Sequence, residues 1–341
     1  MSSIISSYLK KRRLESPQVP DKTRSHVFVV DGTNQFIRAF CASNTLSHHG
    51  THVGGIEGFL WSLGYCVSLL KPTKIVIVFD GDNGSRKRKA IHPEYKQGRG
   101  GSQQKVTMFD SIEDENDAKI DQIIRLIDYL RCLPVQIVCM DDVEADDIVA
   151  LYAKHYESEG YLVTIGSSDK DYLQVINENI RVYRTSDKTT YDAAKVMEKY
   201  GVHPANFLNY LSLIGDTVDG LAGVPGMGPK TVLSCFPELT GSEMVSIDDL
   251  LACAAAQPKK KTCQNVILNE HVLRRNHKLI DLHHPLMSDA EKKQALQYLT
   301  VESKSNRGKL SPYEFSLIIK NDKIPFTDPM GWVSSRFGYL V

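Results

Sequence analysis

The sequence predicts an α/β protein with a mostly parallel central sheet flanked by helices. Four short β-branched runs each end in polar residues: HVFVV before Asp31, KIVIVF before Asp80, VQIVC before Met140 and LVTI before Gly166. Helical patterns separate the runs. Strands that alternate with helices form βαβ units, and such units build parallel sheets. Ligands of these sheets bind at the carboxyl ends of the strands, where several acids of this chain lie.

The chain divides into segments of different character. Residues 1–25 are rich in basic residues, which predicts a flexible tail, and residues 26–200 hold the strand–helix alternation. Between about 85 and 120 a basic, glycine-containing stretch and an acidic run interrupt it, and inserts of this length are usually functional. Helical patterns dominate residues 201–290, whereas the pattern of 291–341 indicates no role.

Composition excludes several classes of protein. The 341 residues carry 41 Lys and Arg against 41 Asp and Glu, so the chain is not a basic coat for nucleic acid or membranes. A hydrophobic content of 42% excludes a disordered chain, and no apolar run is long enough to span a membrane. Seven cysteines without a CxxC pair argue against a disulfide framework or a zinc site. We therefore expect an intracellular, reducing location: the cytoplasm for a bacterial or phage protein, with a nuclear or organellar address left open by KKRR. We also expect a monomer.

Nine acids in five short clusters are the main chemical signal. They are Asp31, Asp80, Glu144 with Asp146 and Asp147, Asp169 with Asp171, and Asp216 with Asp219. Any one cluster is more commonly a strand-end turn or a helix N-cap. Brought into one cleft, however, the carboxylates would repel one another unless divalent cations neutralised them. Oxygen ligands without His or Cys select Mg²⁺ or Mn²⁺, and two such ions suit phosphodiester hydrolysis.

Two further segments carry candidate nucleic-acid contacts. The first holds Tyr95 among the cations Arg86, Lys87, Arg88, Lys89, Lys96 and Arg99. Cations with an aromatic ring suit single-stranded nucleic acid, although a solvated surface is the simpler explanation. The second is GVPGMGPKT, where glycines permit close backbone approach and backbone N–H groups could hold a phosphate beside Lys230. Its candidate residues are Gly223, Val224, Gly226, Gly228, Lys230 and Thr231. A plain helix–turn–helix connection remains the alternative.

Taken in order, these motifs resemble the 5′-nuclease superfamily, which includes flap endonucleases, the 5′→3′ exonuclease domain of bacterial DNA polymerase I and bacteriophage 5′ nucleases. The similar motifs are DGTNQFIRAF with Asp31, Asn34 and Arg38, then VFDG, PEYKQGR, VEADD, SSDKD and GDTVDGLAGVPGMGPKT. They extend from about Val27 to Leu282. The resemblance implies a PIN-like core, a helical arch over about 85–120 and a helix–hairpin–helix extension that binds duplex DNA.

The resemblance also implies roles for the candidate residues. Asp31, Asp80, Glu144, Asp146 and Asp147 would bind or orient one metal ion, and Asp169, Asp171, Asp216 and Asp219 would hold a second. Lys96 and Arg99 would polarise the scissile phosphate, Tyr95 would stack on a base, and Arg38 belongs to the same catalytic set. The hairpin would grip duplex DNA, in relatives with a bound K⁺.

The expected substrates are 5′ flaps, nicked or gapped duplexes and RNA-primed 5′ ends, in replication or repair. A PIN-type ribonuclease acting on single-stranded RNA and a non-catalytic DNA-binding protein are the alternatives. Two features depart from the family pattern. Leu211 stands where many relatives carry a basic residue, and the tail has Ile5, Tyr8 and Leu9 at the spacing of a sliding-clamp binding peptide, with Ser2 where glutamine is expected. A disordered tail is the favoured interpretation.

Overall fold

The computed structural model describes residues 25–97, 106–300 and 307–341. Its main sheet has six strands in the order β3-β2-β1-β4-β5-β6. The strands are β1 His26–Asp31, β2 Lys74–Asp80, β3 Gln136–Met140, β4 Leu162–Gly166, β5 Ile180–Arg184 and β6 Thr189–Tyr191. Strands β1 to β5 pair in parallel and β6 is antiparallel. The predicted α/β class with a mostly parallel sheet is confirmed.

Fourteen α-helices occur in the described residues. They are α1 Gly32–Ala42, α2 Gly54–Leu70, α3 Arg86–Ile91, α4 Ile112–Arg131, α5 Ala145–Ser158, α6 Ala193–Tyr200, α7 Phe207–Ile214, α8 Pro229–Cys235, α9 Ile247–Ala255, α10 Lys261–Leu268, α11 Glu270–Ile280, α12 Asp289–Gln297, α13 Pro312–Asn321 and α14 Pro329–Phe337. A 3₁₀ segment spans Asp171–Val175, and a short ribbon pairs β7 Gly215–Asp216 with β8 Leu221–Ala222.

Two apolar cores lie on opposite faces of the sheet. In β1, Val27 and Val29 pack in the core that includes α5 and the helices after residue 200, while Phe28 and Val30 pack with α1, α2 and α4. Neighbouring residues of a strand point to opposite faces, so both faces must be apolar to be covered. This explains the unbroken apolar runs in the sequence.

The C-terminal segment, for which the sequence indicated no role, completes the second core. Trp332 is 3% exposed and lies against Gly64, where an added Cβ would come within 2.5 Å of the indole. Arg125 of α4 donates to Asp322 at 2.7 Å. Residues 307–341 are therefore packed against α2 and α4.

Some predictions fall outside the described residues. Residues 1–24, with the clamp-like Ile5, Tyr8 and Leu9, and residues 98–105, with Arg99, are among them. Among the helices that the structure describes, none is long and apolar enough to cross a membrane.

Candidate active site

The carboxyl edge of the sheet brings the predicted acids together. Strand β1 lies between β2 and β4, so Asp31, Asp80 and the acids that follow β4 lie side by side. Helix α5 begins at the same edge, because the backbone N–H of Ala145 donates to Asp80 Oδ1 at 2.8 Å. The carboxyl ends of three neighbouring strands and the N-terminus of α5 therefore lie in one region.

Asp31 is held in place at the centre of this region. It is 3% exposed, its Oδ1 accepts the backbone N–H of Asn34 at 3.0 Å, and its Oδ2 accepts the hydroxyl of Ser167 at 3.0 Å. The first of these bonds makes Asp31 the N-cap of α1. Burial, followed by repulsion from Asp146, raises the pKa of Asp31 well above its usual range.

Two other acids of this region, Asp80 and Asp171, also have raised pKa values. Asp80 is an exposed residue, but the surrounding protein desolvates its carboxyl group and so raises its pKa, and Asp146 raises it further. Burial and the neighbouring carboxylate of Asp169 raise the pKa of Asp171. Asp171 Oδ1 is buried and accepts no hydrogen bond in the part of the chain that the structure describes. A buried oxygen without a donor is costly, and a bound cation would satisfy it.

Internal cations partly neutralise the acids. Lys96 Nζ lies 3.0 Å from Glu144 Oε2, and Lys170 Nζ lies 3.2 Å from Asp216 Oδ2. Within residues 25–97, 106–300 and 307–341, no three acidic, His or Cys side chains are close enough together to form a ready metal cage. The donor set around the region is nevertheless made of carboxylates, which are ligands for hard divalent cations.

A protein-family model described as "5′-3′ exonuclease, N-terminal resolvase-like domain" matches residues 26–201. The chain belongs to this 5′–3′ exonuclease family. The predicted resemblance and the predicted enzyme class, a 5′ nuclease, are confirmed.

Individual relatives agree with this assignment. A 5′-3′ exonuclease of Aquifex aeolicus (strain VF5) is 30% identical over 220 residues, which is 64% of this chain and 71% of that protein. DNA polymerase I of Rhizobium leguminosarum is 29% identical over 270 residues, 76% of this chain, and the match spans 25% of the polymerase. The bacteriophage T5 flap endonuclease, solved in a complex with DNA and metal ions, has a TM-score of 0.62 at 17% identity, over 87% of this chain and 99% of that chain. This last likeness shows a shared fold.

Not every predicted metal ligand of this family member is free to bind a cation. Asp147 is 1% exposed, and both of its carboxylate oxygens accept from the Arg88 guanidinium, at 2.7 and 2.8 Å. In this structure Arg88 therefore occupies both oxygens of Asp147, and a role of Asp147 in binding or orienting the metal stays a prediction. Arg88 itself is 3% exposed and its Nε donates to the Leu279 carbonyl at 2.9 Å, so its side chain lies inside the protein, and the DNA contact stays a prediction.

The other basic residues of α3 differ from Arg88. Lys87 donates to the Leu286 carbonyl at 3.1 Å and pairs with Glu291, whereas Arg86 and Lys89 are exposed. Two of the four cations of α3 thus bind α5 and the segment 279–291. Because residues 98–105 lie outside the described residues, the helical arch over 85–120 stays a prediction.

Tyr95 and Lys96 follow α3. Tyr95 is 4% exposed and its hydroxyl donates to Glu144 Oε2 at 3.2 Å. The stacking of its ring on a base stays a prediction. Lys96 has a left-handed backbone with φ of 54°, and its N–H donates to the Asp219 carbonyl at 2.9 Å. A residue other than glycine that is held in this backbone conformation is strained, and such strain is commonly found at functional positions. Arg38, also predicted to be catalytic, is exposed on α1.

The glycine hairpin connects the β7–β8 ribbon to α8. Gly226 and Gly228 are exposed, and position 226 favours glycine because its φ is +82°. Val224 is 3% exposed and its N–H donates to the Leu213 carbonyl at 2.8 Å, so this N–H is already used within the protein, and a DNA contact of Val224 stays a prediction. Leu211, at 1% exposure, is part of the core beneath.

The remaining hairpin candidates also differ in access. Lys230 is exposed at the start of α8. The N–H of Thr231 donates to the Gly228 carbonyl at 2.9 Å, so it belongs to the first turn of the helix. At Gly223 an added Cβ would lie 2.3 Å from the Ile214 carbonyl oxygen, which explains why this position is glycine.

Two features near the site were missed by the sequence reasoning. The Tyr172 hydroxyl contacts acids of the site, and its only signal was its place directly after SSDKD. Lys259, Lys260 and Lys261 are exposed beside the hairpin, since Asn265 of α10 donates to the Pro225 carbonyl at 2.9 Å. The run PKKK was a signal that could have identified these lysines.

The raised pKa values predict how the metal-free protein responds to pH. An unfolded Asp titrates near 3.8, whereas folded Asp171 binds its proton more tightly. Its stabilising contribution is complete below the unfolded pKa and is lost as pH rises through the folded pKa. In EDTA, we expect the melting temperature of wild type relative to Asp171→Asn to fall as the pH rises above about 4. Because both proteins share all other titrating groups, the contributions of those groups cancel in the difference between the two melting temperatures. A difference that does not change with pH would contradict the prediction.

Proposed function

We propose that this chain is a divalent-metal-dependent 5′ nuclease that hydrolyses phosphodiesters near the 5′ ends of duplex, nicked, gapped, flapped or RNA-primed DNA. The products would be a 5′-phosphate and a 3′-hydroxyl. The observation that carries the proposal is the convergence of buried acids at one sheet edge, with Asp171 Oδ1 lacking a hydrogen-bond donor in the described residues. Mg²⁺ or Mn²⁺ fits this donor set, with two ions.

The carboxylates fall into two groups with different tasks. Asp31, Asp80 and Asp146, with Glu144, would hold one ion, and Asp169, Asp171, Asp216 and Asp219 would hold the second. When bound, such ions supply an activated water and stabilise the attacking and leaving oxygens. The chain's own contribution is to orient the carboxylates, through the Asn34 N–H and Ser167 hydroxyl on Asp31 and the Ala145 N–H on Asp80.

A duplex would lie along the glycine hairpin. Gly226, Gly228 and Lys230 are exposed there, and the T5 flap endonuclease that shares the fold was solved with DNA. Contacts of this kind hold the phosphate backbone and do not select a sequence. A K⁺ ion at the hairpin and a monomeric state stay predictions.

One experiment tests the proposal against its alternatives. Labelled 5′-flap DNA, blunt duplex and single-stranded RNA are incubated with Mg²⁺ or EDTA, using wild type, Asp146→Ala and the control Asp121→Ala, an exposed acid of α4. We expect flap cleavage that needs Mg²⁺, is lost in Asp146→Ala and persists in Asp121→Ala. A preference for single-stranded RNA would favour the ribonuclease, and binding without cleavage would favour the non-catalytic alternative.

Lys96 is expected to act on the chemical step. Its strained backbone is fixed by the Asp219 carbonyl, and its ammonium already lies beside a site carboxylate, where a phosphate oxygen would arrive. Lys96→Ala should slow single-turnover cleavage by about 10²–10³-fold while changing DNA affinity little. Lys71→Ala is the matched control, because Lys71 is an exposed lysine with a left-handed backbone, φ 48°, outside the proposed site. Equal losses in rate and affinity would make Lys96 an ordinary phosphate anchor.

The lysine run beside the hairpin should contribute duplex affinity. Lys260 Nζ donates to the Ser234 carbonyl of α8 at 3.2 Å, which places the run next to the hairpin helix. Changing Lys259, Lys260 and Lys261 together to Gln should lower the slope of log affinity against log salt by about one for each lost phosphate contact. The exposed lysines Lys309, Lys320 and Lys323 provide a control triple. An unchanged slope would exclude the run from the DNA interface.

A further inference from the structure

Tyr172 is buried among the acids of the proposed metal site. Its side chain is 0% exposed, and its hydroxyl lies 2.7 Å from Asp146 Oδ1 and 3.2 Å from Asp31 Oδ2. The two carboxylates belong to different elements, Asp31 to the end of β1 and Asp146 to the first turn of α5. One hydroxyl therefore joins the strand end to the helix start.

We propose that Tyr172 is a positioning residue for the first group of metal-binding carboxylates, and that its hydroxyl fixes the orientation of Asp146 relative to Asp31. The inference rests on the proposed function. A carboxylate that accepts a hydrogen bond from a fully buried hydroxyl cannot rotate freely, because the phenol ring is itself immobilised by packing. Donors of this kind orient ligands before the cation arrives.

The environment of Asp31 supports this assignment. Ser167 donates to the same Oδ2 at 3.0 Å, and the Asn34 N–H donates to Oδ1 at 3.0 Å. Of these donors, only Tyr172 also contacts a second acid, so it alone of the three sets a distance between two carboxylates.

The chain position of Tyr172 links the two groups of acids. It follows Asp171 directly in the 3₁₀ segment Asp171–Val175. That short segment thus contributes a carboxylate to the second group and a hydroxyl to the first. A shift of the segment would therefore move both groups of carboxylates together. The hydroxyl thus helps to keep the two groups in a fixed position relative to each other.

Tyr172→Phe tests the proposal, because it removes one oxygen and keeps the ring. Tyr152→Phe is the matched control: Tyr152 is on α5 with Asp146, is 0% exposed, and donates to the Ala295 carbonyl at 2.7 Å. Each variant loses one buried hydroxyl, which contacts two carboxylates in Tyr172 and one carbonyl in Tyr152, so the melting temperatures in EDTA report the structural cost of each loss. Mn²⁺ binding to the DNA-free protein is measured by calorimetry and by electron paramagnetic resonance, and cleavage is measured as a function of Mg²⁺ concentration.

We expect Tyr172→Phe to weaken Mn²⁺ binding by about 10–100-fold and to raise the Mg²⁺ concentration for half-maximal cleavage by a similar factor. Saturating Mg²⁺ should restore most of its rate, and Tyr152→Phe should match wild type in both assays. Mn²⁺ affinity within about twofold of wild type, or an equal loss in both variants, would overturn the inference. A wild type that binds no Mn²⁺ would instead overturn the proposed function, and the inference with it.

Discussion

Asp31→Asn should abolish cleavage and make the metal-free protein more stable. The loss of rate should be at least about 1,000-fold, or ~4 kcal/mol of transition-state stabilisation, because a neutral amide is a poor ligand for a divalent cation. The gain in stability follows from the removal of a buried charge that Asp146 also repels. Burial and Asp146 raise the pKa of Asp31, so ionised Asp31 is unfavourable in the folded protein at neutral pH. Asn preserves the cap of α1, since its side-chain oxygen can accept the Asn34 N–H.

The measurement combines single-turnover cleavage of 5′-flap DNA with thermal unfolding in EDTA and in Mg²⁺. Asp192→Asn is the matched control, because Asp192 caps α6 by accepting the Lys195 N–H at 2.9 Å and is not one of the nine acids. It should leave both quantities close to wild type. Opposite signs for rate and stability are typical of residues kept for function against their cost in stability. If Asp31→Asn remained active, the metal-binding role of Asp31 would be wrong, whereas destabilisation in EDTA would contradict only the predicted gain in stability.

The parts of this molecule that the sequence predicts well are those decided by local pattern. Asp31 and Asp80 directly follow apolar runs, and the parallel sheet then places them at one edge because parallel strands share a direction. The glycine hairpin was equally visible, since backbone approach and positive φ leave few alternatives to glycine. In both cases a few neighbouring residues carry the whole signal.

Contacts between distant segments decide the remainder. RKRK shows four equivalent cations, and nothing within it indicates that Arg88 is the buried one. That choice depends on the Leu279 carbonyl, 191 residues away, and on Asp147. Tyr95 similarly looks like an exposed aromatic among cations, yet Glu144 and Asp219 accept its hydroxyl. The C-terminal segment gave no signal because its partners, including Gly64, lie in helices far earlier in the chain.

Arg88 is therefore the residue at which sequence pattern and structure disagree most, and its substitution should have a large effect on stability. Arg88→Ala would leave Asp147 buried without its two donors and would remove one of the cations beside Glu144. Breaking a buried pair in this way costs about 3–5 kcal/mol, because the remaining charge keeps its desolvation penalty. We expect the melting temperature to fall by roughly 10 °C. Lys89→Ala, an exposed neighbour, should stay within about 0.5 kcal/mol of wild type.

A second substitution separates the structural role of Arg88 from a DNA contact. Replacing both partners, as Arg88→Met with Asp147→Leu, removes the unpaired charge and should recover much of the lost stability, since apolar groups of similar size often replace a buried pair without loss. If Arg88 bound DNA, the double variant would lose affinity as strongly as Arg88→Ala. DNA affinity is compared at a temperature where every variant is folded. Normal stability with weakened DNA binding in Arg88→Ala would contradict the buried pair, whereas recovery in the double variant would assign Arg88 and Asp147 to the scaffold that holds α3 against α5.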